Sequence, residues 1–413
     1  MPLPLEGIRV LDLATMLAGP YGATMLGDMG ADVIKIEPPR GDESRTLGPG
    51  IENDSGMYVG INRNKRSLVL DLTKPEGREV YYRLVKTADI VIENLRADAE
   101  QKLGVSYEDT VKHNPKIIYI SVSTFGESGP YAGRPGIDPL AQALTGFMAT
   151  TGVPGGPPIK TGVAVADATC SNLVAYAAMV ALYTRQTQGI GQRIEMCLID
   201  GLMHLQPVQV GQLSVSNYVT PRVGNSSPYY GPYNTFTTKD GKDIIIAPFN
   251  DKWFRNLCRA IDRPDLAADE RYATNAGRMR HINELEAEIA KWFAQTNWKD
   301  AMKALIDADM IAAPVHATPD AFEDPQINHN NMLIEVEHAR LGKLKVGGVA
   351  PKLSKTPGSV RKAPPVLGQH TEEILRESGF TEEEVANLRQ KAVITPAENP
   401  PKALDINNMP SRF

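Results

Sequence analysis

The chain has 413 residues, with 44 Lys and Arg against 49 Asp and Glu, for a net charge of -5. Hydrophobic residues at 42% and charged residues at 23% exclude a largely disordered chain, and the acidic surplus argues against a nucleic-acid binder, which needs a basic face. At roughly 100–200 residues per domain, the length suggests two or three domains.

The opening Met1-Pro-Leu-Pro-Leu-Glu lacks a basic stretch followed by an apolar one, so no leader is expected. The run RVLDL at 9–13 is predicted as a buried strand, Tyr21 to Met29 as a helix stopped by Gly30, and DVIKIE at 32–37 as the next strand. The unit is βαβ, the start of a parallel sheet. It repeats with strands at 67–72, 89–94 and 116–122 and a helix at 75–87, which together predict an open α/β layer fold.

Helical patterns follow at 138–152 and 167–187, around a Gly/Pro-rich loop. A strand at 192–199 and a helix at 201–215 come next, and the Pro, Gly, Asn, Ser and Tyr of 216–243 read as a linker. A smaller unit is then expected, with a strand at 242–248 and helices near 251–261, 284–295 and 297–308; past Asp324-Pro325 the chain is expected to form short strands near 331–336 and 342–347. Helices after Leu367-Gly-Gln-His-Thr371 and at 381–391 precede an irregular tail, 395–413. No window approaches 18 uninterrupted apolar residues, so no membrane span is expected. The three cysteines, Cys170, Cys197 and Cys258, are scattered, so neither a disulfide framework nor a metal site is indicated and the cytoplasm fits best.

GxSxG, Walker A, GxGxxG and HExxH motifs are absent. Three stretches stand out. The turn Asn62-Arg63-Asn64-Lys65-Arg66 puts three cations before a strand, where they either hold phosphates or form a solvated edge loop. Asp167, among Gly162, Ala164, Ala166 and Ala168, either caps the long helix or offers a carboxylate to an acyl carbon in a pocket kept small. The Gly/Pro-rich run from Ser123 to Asp138 follows a parallel strand, where such sheets place ligands, or is a tight surface loop.

Read in order, the segments GIRVLDL, LAGPY, LGDMGADVIKIEPP, NRNKRSLVLDL, ADIVIEN, SGPYAGRPGID, GVAVAD and LGQHTEEIL resemble the class III CoA-transferases, the CaiB/BaiF or formyl-CoA transferase family. The likeness runs over about 370 residues.

The resemblance implies a Rossmann-like large domain built from both chain ends and a smaller inserted α+β domain. The corresponding boundaries are 1–215, 216–325 and 326–394, with the tail beyond. It also implies an interlocked homodimer, with pairing to a paralogous chain as the alternative. The partners it implies are an acyl-CoA and a small carboxylic acid, with coenzyme A as substrate and product and no permanently bound cofactor. Asp167 matches the family nucleophile, and Asp138 an acidic residue near it. Ala18 and Gly19, Leu72, Asn94, Arg96 and Lys102 match coenzyme A contacts, and Arg63, Lys65 and Arg66 become candidates for its phosphates.

Departures from formyl-CoA transferases are Leu17 for Gln, Pro38 for Arg, and Gly224-Asn-Ser-Ser-Pro228 in place of a run of glycines. They argue against oxalate and formate and leave succinyl-CoA with a dicarboxylate as the preferred pair, with Arg134 and Arg222 as candidates for the distal carboxylate. Racemases of the fold carry His where this chain has Ile137. An acyl-CoA isomerase or racemase, or an intramolecular CoA transferase, is the alternative activity.

Overall fold

The computed structural model describes residues 2–405. Its centre is a six-stranded sheet of β1 (Arg9–Asp12), β2 (Asp32–Glu37), β3 (Lys65–Val69), β4 (Ile90–Glu93), β5 (Ile118–Ser123) and β6 (Gln192–Cys197). The spatial order is β3-β2-β1-β4-β5-β6 and every neighbouring pair is parallel. This is the Rossmann order, in which strand progression reverses between β1 and β4. β4 and β5 are nearly continuous buried apolar runs, as expected when both faces are covered. β2 and β3 differ: they carry Lys35, Glu37, Lys65 and Arg66, all buried.

Helices α1 (Ala18–Asp28), α2 (Pro75–Val85), α3 (Ala97–Leu103), α4 (Asp138–Leu144) and α5 (Val165–Gln188) belong to the same unit. By length and hydropathy α5 could cross a membrane. One of its faces, with Cys170, Ser171, Val174, Ala178 and Ala181, is buried. Gly22 of α1 makes a close approach there, since a Cβ at that position would come within 2.7 Å of Val174. Both α1 and α5 run back from the carboxyl edge of the parallel sheet, so both begin at that edge.

The chain divides into two compact units. The larger holds 1–145, 162–207 and 325–413, and the smaller 146–161 and 208–324. The expected boundaries, 1–215 and 216–325, therefore need correction in two places. Residues 146–161 join the small unit because Gly224 N–H donates to Gly152 O at 2.8 Å and Arg222 Nη1 to Ala149 O at 2.9 Å. The small unit also begins earlier, at Val208, because Pro207 divides the helix expected at 201–215 into Leu198–His204 and Pro207–Ser216.

The small unit contains β7 (Asn234–Thr237), β8 (Asp243–Ile246) and β9 (Ala312–Pro314), an antiparallel sheet in the order β9-β8-β7. Its core includes Phe236, Phe254, Leu257, Ile289 and Phe293.

Other local differences have simple causes. The helix expected at 138–152 breaks at Gly146, whose φ is 78°. The third strand covers 65–69 and not 67–72, because its ladder with β2 ends where β2 ends, at Glu37↔Val69. The tail at 395–405 forms no helix or strand, yet it docks: Gly50 N–H donates to Leu404 O at 3.0 Å and Leu404 N–H to Gly48 O at 3.1 Å. Residues 406–413 of the expected tail lie outside the described residues.

Candidate active site

Asp167 is the third residue of α5 and does not cap it. The cap comes from another helix. Asp138, first residue of α4 and buried, accepts from Ala166 N–H at 2.6 Å and Asp167 N–H at 3.4 Å through one oxygen. Its other oxygen accepts from Gln142 Nε2. One carboxylate thus satisfies the orphan amides of the helix start and leaves the next free. Asp167 is half-buried, and among the described residues no donor is bonded to its carboxylate.

Burial, and then the negative charge of Asp138, push the Asp167 carboxyl up to about 6. At pH 7 it remains ionised by about ten to one. It is a more basic oxygen nucleophile than an exposed aspartate, at the positive end of a 24-residue helix. The neighbouring thiols do not compete. Burial, with the charges of Asp167 and Asp200 beside them, pushes Cys170 and Cys197 up to about 12, so both stay protonated.

The turn after β1 stands level with Asp167. Gly22 meets α5 at Ser171 and Val174, and Ser171 Oγ donates to the Asp167 carbonyl at 2.8 Å. One helical turn earlier on each helix are Ala18 and Asp167, and the two helices start at the same sheet edge. Ala18 and Gly19 are buried in this first turn, with no room for a Cβ on Gly19, which would lie 2.4 Å from that of Ala14.

Asn94, just past β4, joins the two sides of the strand-order reversal. Its Oδ1 accepts from Thr15 N–H at 2.8 Å and its Nδ2 donates to Thr15 O at 2.7 Å. Arg96 and Lys102 bracket α3, which follows β4; their side chains are 71% and 76% exposed and pair with Asp98 at 3.8 and 3.3 Å. Leu72, beyond β3, is partly buried against the core.

Arg63, Lys65 and Arg66 do not join this group. They precede or open β3, so their backbones stand at the amino edge, opposite the site. Arg63 forms a two-pronged pair with Asp28, at 2.6 and 3.1 Å. Arg66 pairs with Asp32 at 2.7 Å and with Glu373 and Glu377 at 2.8 Å. Lys65 is buried and reaches under α1 to Asp12 at 2.7 Å and Pro20 O at 2.7 Å. A phosphate would have to displace these carboxylates, so the phosphate role expected for the three is withdrawn. Asp138, matched to coenzyme A contacts by the resemblance, has both oxygens bonded inside the fold, to Gln142 on one side and to the Ala166 and Asp167 amides on the other.

Arg134 is exposed, with its guanidinium 4.2 Å from the Tyr131 ring. Arg222 and Gly224 belong to the small unit. The buried pair Lys35 and Asp42, beside the β1–α1 turn, escaped the sequence reading. Its signal was a lysine and a glutamate inside the otherwise apolar strand DVIKIE.

A profile of CoA-transferase family III matches residues 5–371. The chain is 39% identical over 383 residues to a succinate–glutarate CoA-transferase of Agrobacterium fabrum, covering 91% of this chain and 95% of that one. It is 35% identical over 397 residues to a succinyl-CoA–D-citramalate CoA-transferase of Chloroflexus aurantiacus, covering 95% and 98%. The crystal structure of a CaiB/BaiF family protein from Brucella suis superposes with a TM-score of 0.85 at 35% identity, over 92% of this chain and all of the other. Profile, sequence and fold agree: the chain belongs to CoA-transferase family III, the CaiB/BaiF family, and is a class III CoA-transferase.

Proposed function

We propose that this enzyme moves coenzyme A between succinyl-CoA and a free dicarboxylate, with Asp167 as the covalent carrier. The observation that carries the reading is an ionised, half-buried carboxylate left without a donor at the head of α5 while a second carboxylate caps the helix. Relatives described as succinyl-CoA transferases with glutarate and D-citramalate support the substrate class.

The steps are acyl transfers with no change of oxidation state. An Asp167 oxygen attacks the thioester carbon of the donor, the C–S bond breaks, and coenzyme A leaves as thiolate. The thiolate attacks the Asp167 carbonyl of the resulting anhydride and releases the donor acid. The acceptor carboxylate then displaces thiolate from the aspartyl thioester, forming a second anhydride. Thiolate attacks the acceptor's carbon in that anhydride, releasing acyl-CoA and free Asp167. Each activated species is lost if water enters, which suits the small side chains of Ala164, Ala166 and Ala168 next to Asp167 in sequence.

Arg96 and Lys102 are the cations open to the phosphates at this edge, with Ala18, Gly19, Leu72 and Asn94 along the path of the ligand. A racemase would use Asp138 as a proton carrier, but neither of its oxygens is unoccupied.

The quaternary reading is a homodimer. Tyr176 and Tyr183 on α5 are each 68% exposed, with Met179 and Val180 beside them. A long apolar helix with one open face calls for a cover, and we assign it to a second copy of the chain.

The test is a panel of dicarboxylates with succinyl-CoA, followed by hydroxylamine trapping and mass spectrometry. The expected result is transfer to at least one acid and a hydroxamate on Asp167. Turnover of Asp167→Ala at the wild-type rate, or a trapped cysteine, refutes the reading.

A further inference from the structure

The turn between β1 and α1 is held more tightly than a loop of five residues requires. Met16 adopts φ 68°, the left-handed region that a branchless non-glycine residue reaches only at a cost. Both backbone groups of Ala14 and of Thr15, and the Met16 amide, are bound by side chains. Ala14 N–H donates to Asp12 Oδ1 at 3.1 Å, Ala14 O accepts from Lys35 Nζ, and both backbone groups of Thr15 bond Asn94. Met16 N–H donates to Asp42 Oδ1 at 3.3 Å.

Behind the turn lies a buried, charge-balanced cluster of two lysines and two aspartates. Lys35 meets Asp42 at 2.6 Å and Asp12 at 3.8 Å, and Lys65 meets Asp12 at 2.7 Å, with all four side chains at most 1% exposed. Asp42 is fixed in turn, with its N–H on Glu37 at 3.0 Å and its Oδ1 on Ser44 N–H at 2.8 Å. Buried ion pairs of this kind add little net stability compared with apolar side chains of equal volume, so their contribution here is geometric.

From this juxtaposition we infer that Asp42, anchored by Lys35, is a positioning residue for acyl transfer: it holds Met16 in its left-handed conformation and so fixes the turn that faces Asp167. The inference rests on the transfer reading above, because the turn stands one helical turn above the Gly22–Ser171 contact, level with the proposed nucleophile. A displacement of the turn by about 1 Å misaligns the thioester with the attacking oxygen and slows the chemical step much more than it weakens coenzyme A binding.

The experiment is a double-mutant cycle between Asp42→Asn and Met16→Gly. Glycine takes a positive φ without strain, so it removes the need for the clamp. In the wild-type background Asp42→Asn is expected to lower kcat about thirtyfold, with the KM for acyl-CoA within about threefold. In the Met16→Gly background the same substitution is expected to cost less than about threefold. Equal losses in both backgrounds, or an unchanged kcat in folded Asp42→Asn, overturn the inference.

Should Asp42→Asn fail to fold, Asp42→Glu keeps the charge beside Lys35 while moving the oxygen that takes the Met16 amide. It is expected to lose kcat with little change in Tm, and wild-type kcat there overturns the inference as well. Wild-type transfer is the control: its absence refutes the transfer reading itself, whereas wild-type turnover with equal losses across the cycle refutes the clamp alone.

Discussion

The two edges of the central sheet use their charged residues in opposite ways. At the amino edge Arg63 and Arg66 are paired with Asp28, Asp32, Glu373 and Glu377, so both cations are engaged within the fold. At the carboxyl edge Asp167 has no bonded donor among the described residues, and Arg96 and Lys102 face solvent. The first edge joins distant parts of the chain, since Arg66 ties β3 to the helix at 371–377. The second leaves its groups available to a ligand. A cation count along the sequence weighs both edges equally; the direction of a parallel strand separates them.

The sharpest way to break this comparison is to remove a cation from the amino edge. Arg63→Ala leaves Asp28 buried without its two-pronged partner and is expected to cost about 3–5 kcal/mol of stability. The KM for acyl-CoA should stay unchanged. Denaturant unfolding and initial rates test the two halves of that statement, and a raised KM in a folded protein would return Arg63 to the site.

A smaller effect is expected beneath α3. Glu93, at the end of β4, is buried close to Glu100, and its N–H partner is Leu95 at 2.7 Å. Burial, reinforced by the charge of Glu100, pushes Glu93 up to about 8, while burial and the charge of Glu127 push Glu100 up to about 7. A raised carboxyl favours the folded state fully below its unfolded value, near 4.5, and that contribution is lost as pH rises through about 8. Glu93→Gln keeps the acceptor for Leu95 and cannot ionise. It should therefore be more stable than wild type at pH 8.5, by about 2 kcal/mol, and nearly equal to it at pH 5. Thermal unfolding at the two pH values reads the difference. A wild-type-like slope in the variant would show that the pair is not the titrating group.

Asp138→Asn sharpens the carboxyl edge directly. Asparagine caps a helix about as well as aspartate, so the fold should be kept. The negative charge that helps raise Asp167 is lost, and the nucleophile should ionise at lower pH. The wild-type rate should fall as pH drops through about 6, and the acid limb of kcat in the variant should lie about one unit lower. An unmoved limb would assign that titration to another group.

Much of this arrangement was legible in the sequence. The βαβ rhythm of 9–37 and the apolar strands 90–93 and 118–123 fixed the layer type, because buried parallel strands must be apolar on both faces. Asp167 stood out by its small neighbours, but its freedom did not: that depends on Asp138 reaching from 29 residues earlier to cap α5. The basic turn was misjudged for a similar reason. Asp28, Asp32 and Glu373 come from three separate segments, and only the packed fold shows that they enclose the arginines. The excursion of 146–161 into the small unit rests on two backbone acceptors, Ala149 and Gly152, which no side-chain pattern announces.

The smallest effect belongs to the exposed cations. Arg96 and Lys102 stand in water, where screening reduces each contact to a phosphate to a modest contribution. Arg96→Ala and Lys102→Ala should each raise the KM for acyl-CoA about three- to tenfold, leave kcat and Tm unchanged, and flatten the dependence of KM on salt. The same substitutions should leave the KM for the free dicarboxylate untouched, because that acid brings no phosphates to this edge. If instead both KM values rise together, the cations at α3 act on carboxylates, and the division between phosphate recognition at α3 and chemistry at α5 fails.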